Sequence, residues 1–261
     1  SALFLTSFPT DAPGMGWIIL GTIVVGILIA ILTGLFNGVL VAFVGVTPIL
    51  VTIGARAVFK GVGLVLTRGG SVSNFPEEFY VIGSAAPLGI PLPLYILAAV
   101  VVVSYVLLHR TPWGSHVFMV GSNAEAANFS GVPVRRVLLQ VYVYSSLLAG
   151  IAAIIMISRY NSAKVTLGTS YLLQTVAASV LGGTSIYGGK GSVLGVILAA
   201  AILQVISSGL NILGVNRFLI EVSMGAILIL ALTADFLTST GQFEKLKGFF
   251  LRLAPGTKFS E

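Results

Sequence analysis

The sequence lacks cysteine altogether, has two histidines (His109 and His116), and carries few charges: 14 Lys and Arg and 8 Asp and Glu in 261 residues. Without cysteine there is no disulfide framework, thiolate zinc site or iron–sulfur cluster. Neither histidine has a carboxylate near it in sequence, so no catalytic or metal-ligating constellation suggests itself. A soluble domain carries roughly a quarter charged residues; this shortage excludes an ordinary cytosolic enzyme. No signal peptide is visible.

Apolar residues fill the space the charges leave. They make up 56% of the chain, with a mean hydropathy of +1.05. They gather in runs near 20 residues long, enough to cross a hydrocarbon core of about 30 Å. A membrane β-barrel would show short alternating segments instead. The expected fold is an all-α, polytopic transmembrane bundle of about seven segments: Trp17–Val44, Pro48–Thr67, Pro93–Leu108, Val134–Ile157, Tyr171–Leu181, Ser192–Leu213 and Phe218–Leu237. The fifth is too short to span. A glycine-rich loop follows it, so it reads as a broken or re-entrant helix. Residues 1–240 form the membrane domain in this reading, and 241–261 a basic tail.

Lys and Arg set the orientation. With residues 109–133 and the tail inside, eight basic residues are cytoplasmic (Arg110, Arg135, Arg136, Lys190, Lys245, Lys247, Arg252, Lys258) and four are outside (Arg68, Arg159, Lys164, Arg217). Residues 1–16 then lie outside. Together with the initial Ser1, this leads us to expect that helices precede this sequence. Gly45-Val46 and Gly214-Val215 each end a long apolar helix and open another, the pattern of an inverted repeat.

The polar stretch Gly121–Pro133 separates two membrane segments. Asn123 is placed to cap a short helix running through Ala127, Gly131 to stop it, and Pro133 to open the next element. A solvated connector and a docking helix for a soluble partner both fit, and Glu125 is also within reach of a local pair with Arg135 or Arg136. In the loop Gly182–Gly191, five glycines in ten residues permit close backbone approach and positive φ. A tight cytoplasmic turn and a broken helix beside a permeation path both fit. The loop is no Walker A motif: Gly189 stands where the lysine is needed, and Gly191 follows Lys190.

Polar residues inside apolar segments are the translocation-path candidates: Asn37, Thr47, Thr52, Gln174, Ser179, Gln204, Ser207, Ser208 and Asn211. Interhelical hydrogen bonding is the competing reading for each. Arg56 and Lys60, one turn apart, face protein or water, or snorkel outward. Arg217 and Glu221 are spaced for an i, i+4 pair. Asp235 sits where the last helix exits. Gly34–Gly38 and Gly191–Gly195 are small-residue pairs that support helix packing. Arg68–Ser71 and Ser158–Asn161 are candidate outer docking loops, or plain solvated turns.

Three stretches carry a resemblance. Glu125-Ala126-Ala127 with Gly131 resembles the EAA-x-x-x-G loop of ABC importer permeases, Val180–Gly191 the L-G-G-x-S-x-x-G-G-x-G signature of ribose/galactose-type sugar permeases, and Ser208–Val215 their N-G-L-N-L-L-G-V stretch. Order and spacing agree from about Trp17 to Asp235. The family's N-terminal G-G-I-D-L-S-type helices are absent here. The resemblance implies a permease subunit with no chemistry of its own, in a bacterial inner membrane. It would pair with a second permease subunit, identical or paralogous, and a periplasmic binding protein would deliver a monosaccharide. ATP would be bound by cytoplasmic ATPase subunits docked on Asn123, Glu125, Ala126, Ala127 and Gly131. The chain itself would need no cofactor or metal. The loop glycines Gly182, Gly183, Gly188, Gly189 and Gly191 would shape the broken helix. The rival reading is an ion-coupled secondary transporter of a small polar solute, against which stands the lack of a mid-membrane Asp, Glu or His.

Overall fold

The computed structural model describes residues 2–6, 15–73, 75–169 and 171–239. These described residues are helical nearly throughout. α1 is Ala2–Leu5. α2 (Met15–Val39) runs into a π-helical turn at Leu40–Val44, and α3 is Pro48–Thr67. α4 (Glu77–Ser84), α5 (Leu92–Arg110), α6 (Pro112–Ser122), α7 (Ala124–Phe129) and α8 (Val134–Tyr160) follow. α9 is Tyr171–Leu181, α10 Val193–Ile212 and α11 Arg217–Ser239. The only strands among the described residues are β1 (Val72–Ser73) and β2 (Ser162–Ala163), paired antiparallel.

Among the described residues five helices are long and apolar enough to cross a membrane: Gly16–Val44, α3, α5, α8 and α10. Two shorter apolar helices, Tyr171–Leu181 and Phe218–Thr233, complete the seven expected segments. α3 begins and ends where the sequence places it, because Pro48 opens it and Arg68 closes it in the left-handed region (φ 50°). α9 has 11 residues, about 16 Å at 1.5 Å per residue, too short to span. Two helices went unanticipated. α4 carries Glu77 and Glu78 in its first turn, where they favour the N-terminal end of the helix dipole. α6 starts at Thr111-Pro112, a capping hydroxyl followed by a proline in the first turn. The Arg217–Glu221 pairing, Asp235 and the tail 241–261 fall outside the described side chains and residues.

The chain divides into two compact units, one ending at Thr169 and the other following it. In the first, α2 lies along α8. A Cβ on Gly34 would sit 2.7 Å from Ser146 Oγ, one on Gly38 2.8 Å from Leu139 Cδ1, and one on Gly150 2.6 Å from the Ala30 methyl. The helices approach closely because these methyls are missing, as in small-residue membrane interfaces generally. Leu5, Ile19, Phe75, Phe79 and Ile154 form a core at one end of this pair. There Ser158, fully buried, ties α8 to α4: Gly83 N donates to its Oγ at 2.8 Å, and the Oγ donates to Phe79 O at 2.6 Å. The second unit packs Ala177 and Ala178 of α9 against Ala199 and Leu203 of α10 and Met224 of α11.

Candidate functional site

The stretch 121–138 folds as its residues dictate. The Asn123 side chain turns back over the start of α7, and its Oδ1 accepts from Glu125 N and Ala126 N, both at 3.0 Å. That satisfies two of the orphan amides of the first turn. At the other end Gly131 takes φ +82°. Its N–H donates to Asn128 O and Val132 N–H donates to Ala127 O, each at 3.0 Å. This pair of bonds is the Schellman stop that a left-handed glycine permits. Its customary apolar contact is present too: Val132 and Ala127 are buried with Val120 of α6 and Val137 of α8.

This geometry sorts the five residues assigned to the docking surface. Glu125 and Ala126 are exposed. Asn123 and Gly131 shape the two ends of α7. Ala127 is a correction: it is 5% exposed and packs inward, because the Schellman contact draws it into the cluster beneath. The outward face instead includes Asn128 and Phe129, and Phe129 is 83% exposed. The sequence reading passed over Phe129; its signal was an aromatic ring at the last position of a short polar helix. Among the described residues Glu125 has no ion pair with Arg135 or Arg136. All three line one open cleft of about 650 Å³, with Asn128, Phe43 and Leu138. Phe43 belongs to the π-helical turn that ends the α2 rod, a local widening often found at functional positions.

The segment is held from behind. Trp113 Nε1 donates to Gln140 Oε1 at 2.9 Å, and the Trp113 ring meets that of Tyr144 edge-on. The Tyr144 hydroxyl shares a hydrogen bond of 2.7 Å with Ser104. These contacts join α5, α6 and α8. The elbow between α5 and α6 is tight, since a Cβ on Gly114 would overlap the Leu108 carbonyl.

The loop 182–191 is a compact turn between α9 and α10. Gly183 (φ +84°) ends α9 with a second Schellman pair, Gly183 N to Val180 O and Thr184 N to Ser179 O. Ser185 N donates to Lys190 O at 3.1 Å and closes the loop. Gly188 and Gly189 also have positive φ. Gly182 fills a different role, lying backbone to backbone against Gly195 and Val196. Gly191 has ordinary room for a methyl, its nearest neighbour being Thr184 Oγ1 at 3.4 Å. It is the one loop glycine of the five that neither conformation nor space requires.

The path candidates fall in both units. In the first, Asn37 carries a buried Oδ1 without a hydrogen-bond partner, Thr47 lies exposed at the start of α3, and the Thr52 hydroxyl donates back to Pro48 O at 2.9 Å. Arg56 and Lys60 are exposed on α3. In the second, the Ser179 hydroxyl donates back to Thr175 O at 2.9 Å, Ser207 is half-buried and Asn211 is exposed. Gln174, Gln204 and Ser208 are brought together: Gln174 Nε2 donates to Gln204 Oε1, and Gln204 Nε2 to Ser208 Oγ, each at 3.3 Å. Just past the loops Arg68–Ser71 and Ser158–Asn161, β1 pairs with β2, and Asn161 Oδ1 accepts from Phe75 N at 3.1 Å. Ser158, buried at 0% exposure, is a tie and not part of that surface.

Comparison with known proteins agrees with this architecture. The chain is 36% identical over 213 residues to the autoinducer 2 import system permease protein LsrD of Salmonella typhi, covering 79% of this chain and 64% of that protein. It is 36% identical over 210 residues to LsrD of Yersinia enterocolitica, 78% and 63% of the two lengths. It is 37% identical over 201 residues to the ribose import permease protein RbsC of Bacillus subtilis, 76% and 62%. The chain thus spans slightly less than two thirds of these relatives. No solved structure matches it. The model of the branched-chain amino acid transport system / permease component family matches residues 2–232, and the chain belongs to that family.

Proposed function

We propose that this chain is the greater part of a membrane-spanning permease subunit of an ATP-binding cassette importer for a monosaccharide or a sugar-like solute. The names of the relatives, import permeases for ribose and for autoinducer 2, support the solute class. The observation that carries the reading is α7. It is a six-residue helix fixed at both ends and rooted in an apolar cluster, and it presents Glu125, Asn128 and Phe129 outward. Caps of this kind are common; what fits a docking role is that a helix so held presents an exposed carboxylate, an amide and an aromatic ring. An exposed aromatic ring beside a carboxylate fits a partner's apolar pocket rimmed by basic groups.

In this reading cytoplasmic ATPase subunits hold α7. Their closing and opening moves α6 and α8 through the cluster of Val120, Ala127, Val132 and Val137. A second permease subunit completes the path, and a periplasmic binding protein delivers the solute to the outer ribbon of β1 and β2. The subunit is then a multi-pass protein of a bacterial inner membrane, with residues 109–133 and the basic tail 241–261 on the cytoplasmic side.

The test is co-purification of ATPase subunits with the full-length permease in detergent. Wild type should retain them. Glu125→Arg and Phe129→Ala should each lose most of the bound ATPase while the permease still elutes as a single species. Undiminished binding in both variants would remove α7 as the coupling element. No ATPase with the intact protein, in detergent or native membrane, would end the importer reading.

A further inference from the structure

The second unit contains a row of polar side chains that its fold does not bury. Gln204, Ser208 and Asn211 follow at i, i+4 and i+7 on α10, so they share one face. Gln174 of α9 joins them through the amide-to-amide and amide-to-hydroxyl bonds described above. Gln204, Ser208 and Asn211 are exposed and Gln174 partly so. α10 therefore has three kinds of face. Ala199 and Leu203 pack in the core. Leu198, Ile202 and Val205 are 65%, 53% and 71% exposed and wholly apolar, as hydrocarbon or another apolar helix requires. The amide row is exposed but not apolar. Primary amides turned towards lipid tails are strongly disfavoured. A link serving only to join α9 to α10 would be enclosed between them, as Ser158 is enclosed between α8 and α4.

We propose that Gln174, Gln204, Ser208 and Asn211 form a water-lined contact strip over which a neutral polyhydroxyl solute passes; this rests on the importer reading above. The chemistry suits that solute class. Each of the three carboxamides offers donors and an acceptor, and the Ser208 hydroxyl offers a donor and acceptor lone pairs, so the strip matches the mixed hydrogen-bonding of a polyol. It bears no charge, so it does not trap a neutral solute. The strip also selects among the path candidates. The Thr52 and Ser179 hydroxyls are engaged by their own helix carbonyls, whereas Gln204 and Ser208 hold one another at the exposed surface.

The chain's lack of cysteine makes the test direct. Single cysteines are placed at 204, 208, 202 and 205 in the full-length permease, any thiol outside this sequence having been removed. Membrane vesicles are then treated with a charged, membrane-impermeant thiosulfonate. Gln204→Cys and Ser208→Cys should react at least 10-fold faster than Ile202→Cys and Val205→Cys, and Ser208→Cys is close enough in shape to fold if Gln204→Cys does not. Molar D-ribose, D-galactose or xylitol should slow the reaction at 208 at least threefold, relative to betaine at equal osmolality. Equal rates at 204, 208, 202 and 205 would overturn the strip, as would a 204–204 disulfide between two copies in place of labelling. Protection by none of the three polyols would overturn the solute class. The labelling pattern needs no ATPase, so loss of the importer reading in the co-purification test would leave this result standing by itself.

Discussion

Two seams in the molecule depend on glycine, and they do so differently. Between α2 and α8 the absent methyls of Gly38 and Gly150 would meet side-chain atoms first, Leu139 Cδ1 and the Ala30 Cβ, and that of Gly34 would meet Ser146 Oγ. Between α9 and α10 the absent methyl of Gly182 would meet backbone, Val196 N and Cα at 2.5 Å, and that of Gly195 would overlap the Gly182 carbonyl. The end of the Leu139 side chain can turn aside by a few tenths of an ångström, the Cβ atoms of Ala30 and Ser146 move only with their helices, and the backbone of the turn after α9 and that of α10 cannot yield without parting. The cost of a substitution in this glycine-rich chain is therefore set by what the new methyl would touch and by the local φ.

That contrast can be broken in a ranked series. Gly182→Ala should be the most damaging, destabilising by about 3 kcal/mol or more because the turn closing α9 and the α10 backbone must part; unfolding in graded SDS–detergent mixtures would register it. Gly34→Ala should cost about 2 kcal/mol, since turning the Ser146 hydroxyl aside still leaves the Ser146 Cβ at 2.8 Å and the Tyr142 carbonyl at 2.9 Å. Double substitution with Ser146→Gly should recover part of that loss in the same assay. Gly183→Ala has open space around it but φ +84°, so it should lose only about 1 kcal/mol, through conformation alone. Asn123→Ala should take about 1 kcal/mol from α7. Its readout is local: faster amide exchange over residues 124–129 and weaker ATPase retention, with an unchanged global melting point. Gly191→Ala should change stability by under about 0.5 kcal/mol, because neither its φ nor its surroundings exclude a methyl. A large effect at Gly191 would mean that this loop meets something beyond its own residues.

Much of this was legible in the sequence. Uninterrupted apolar runs bounded by proline, glycine or arginine located the spans, and α3 coincides with its expected limits. The capping asparagine and stopping glycine of α7 were readable because each has a specific backbone task. The helices α4 and α6 escaped, being short and mixed in polarity, so that no run of apolar residues marks them. Their capping signals, Pro76 before two glutamates and Thr111 before Pro112, were the only trace. The inward turn of Ala127 and the outward turn of Phe129 were hidden for another reason. Alanine and phenylalanine suggest surface and core by size, yet over one and a half turns of helix the Schellman contact decides which way each points. The meeting of Gln174 with Gln204 was also out of reach, since it depends on how closely α9 and α10 approach, and that is set by Gly182 and Gly195.

The two attachments of α8 have a mechanical meaning. Val137, near its start, is part of the cluster under α7, and Ser158, near its end, is bonded to α4. Its 27 residues make a rod of about 40 Å, longer than the hydrocarbon core is thick. Each end is therefore tied to a different short helix, α7 through the Val137 cluster and α4 through Ser158. In the importer reading proposed above, a displacement applied at α7 would reach α4 as translation or twist of one continuous helix. Spectroscopic labels near 129 and 80 would then keep time with each other, and α8 would be the pushrod between them.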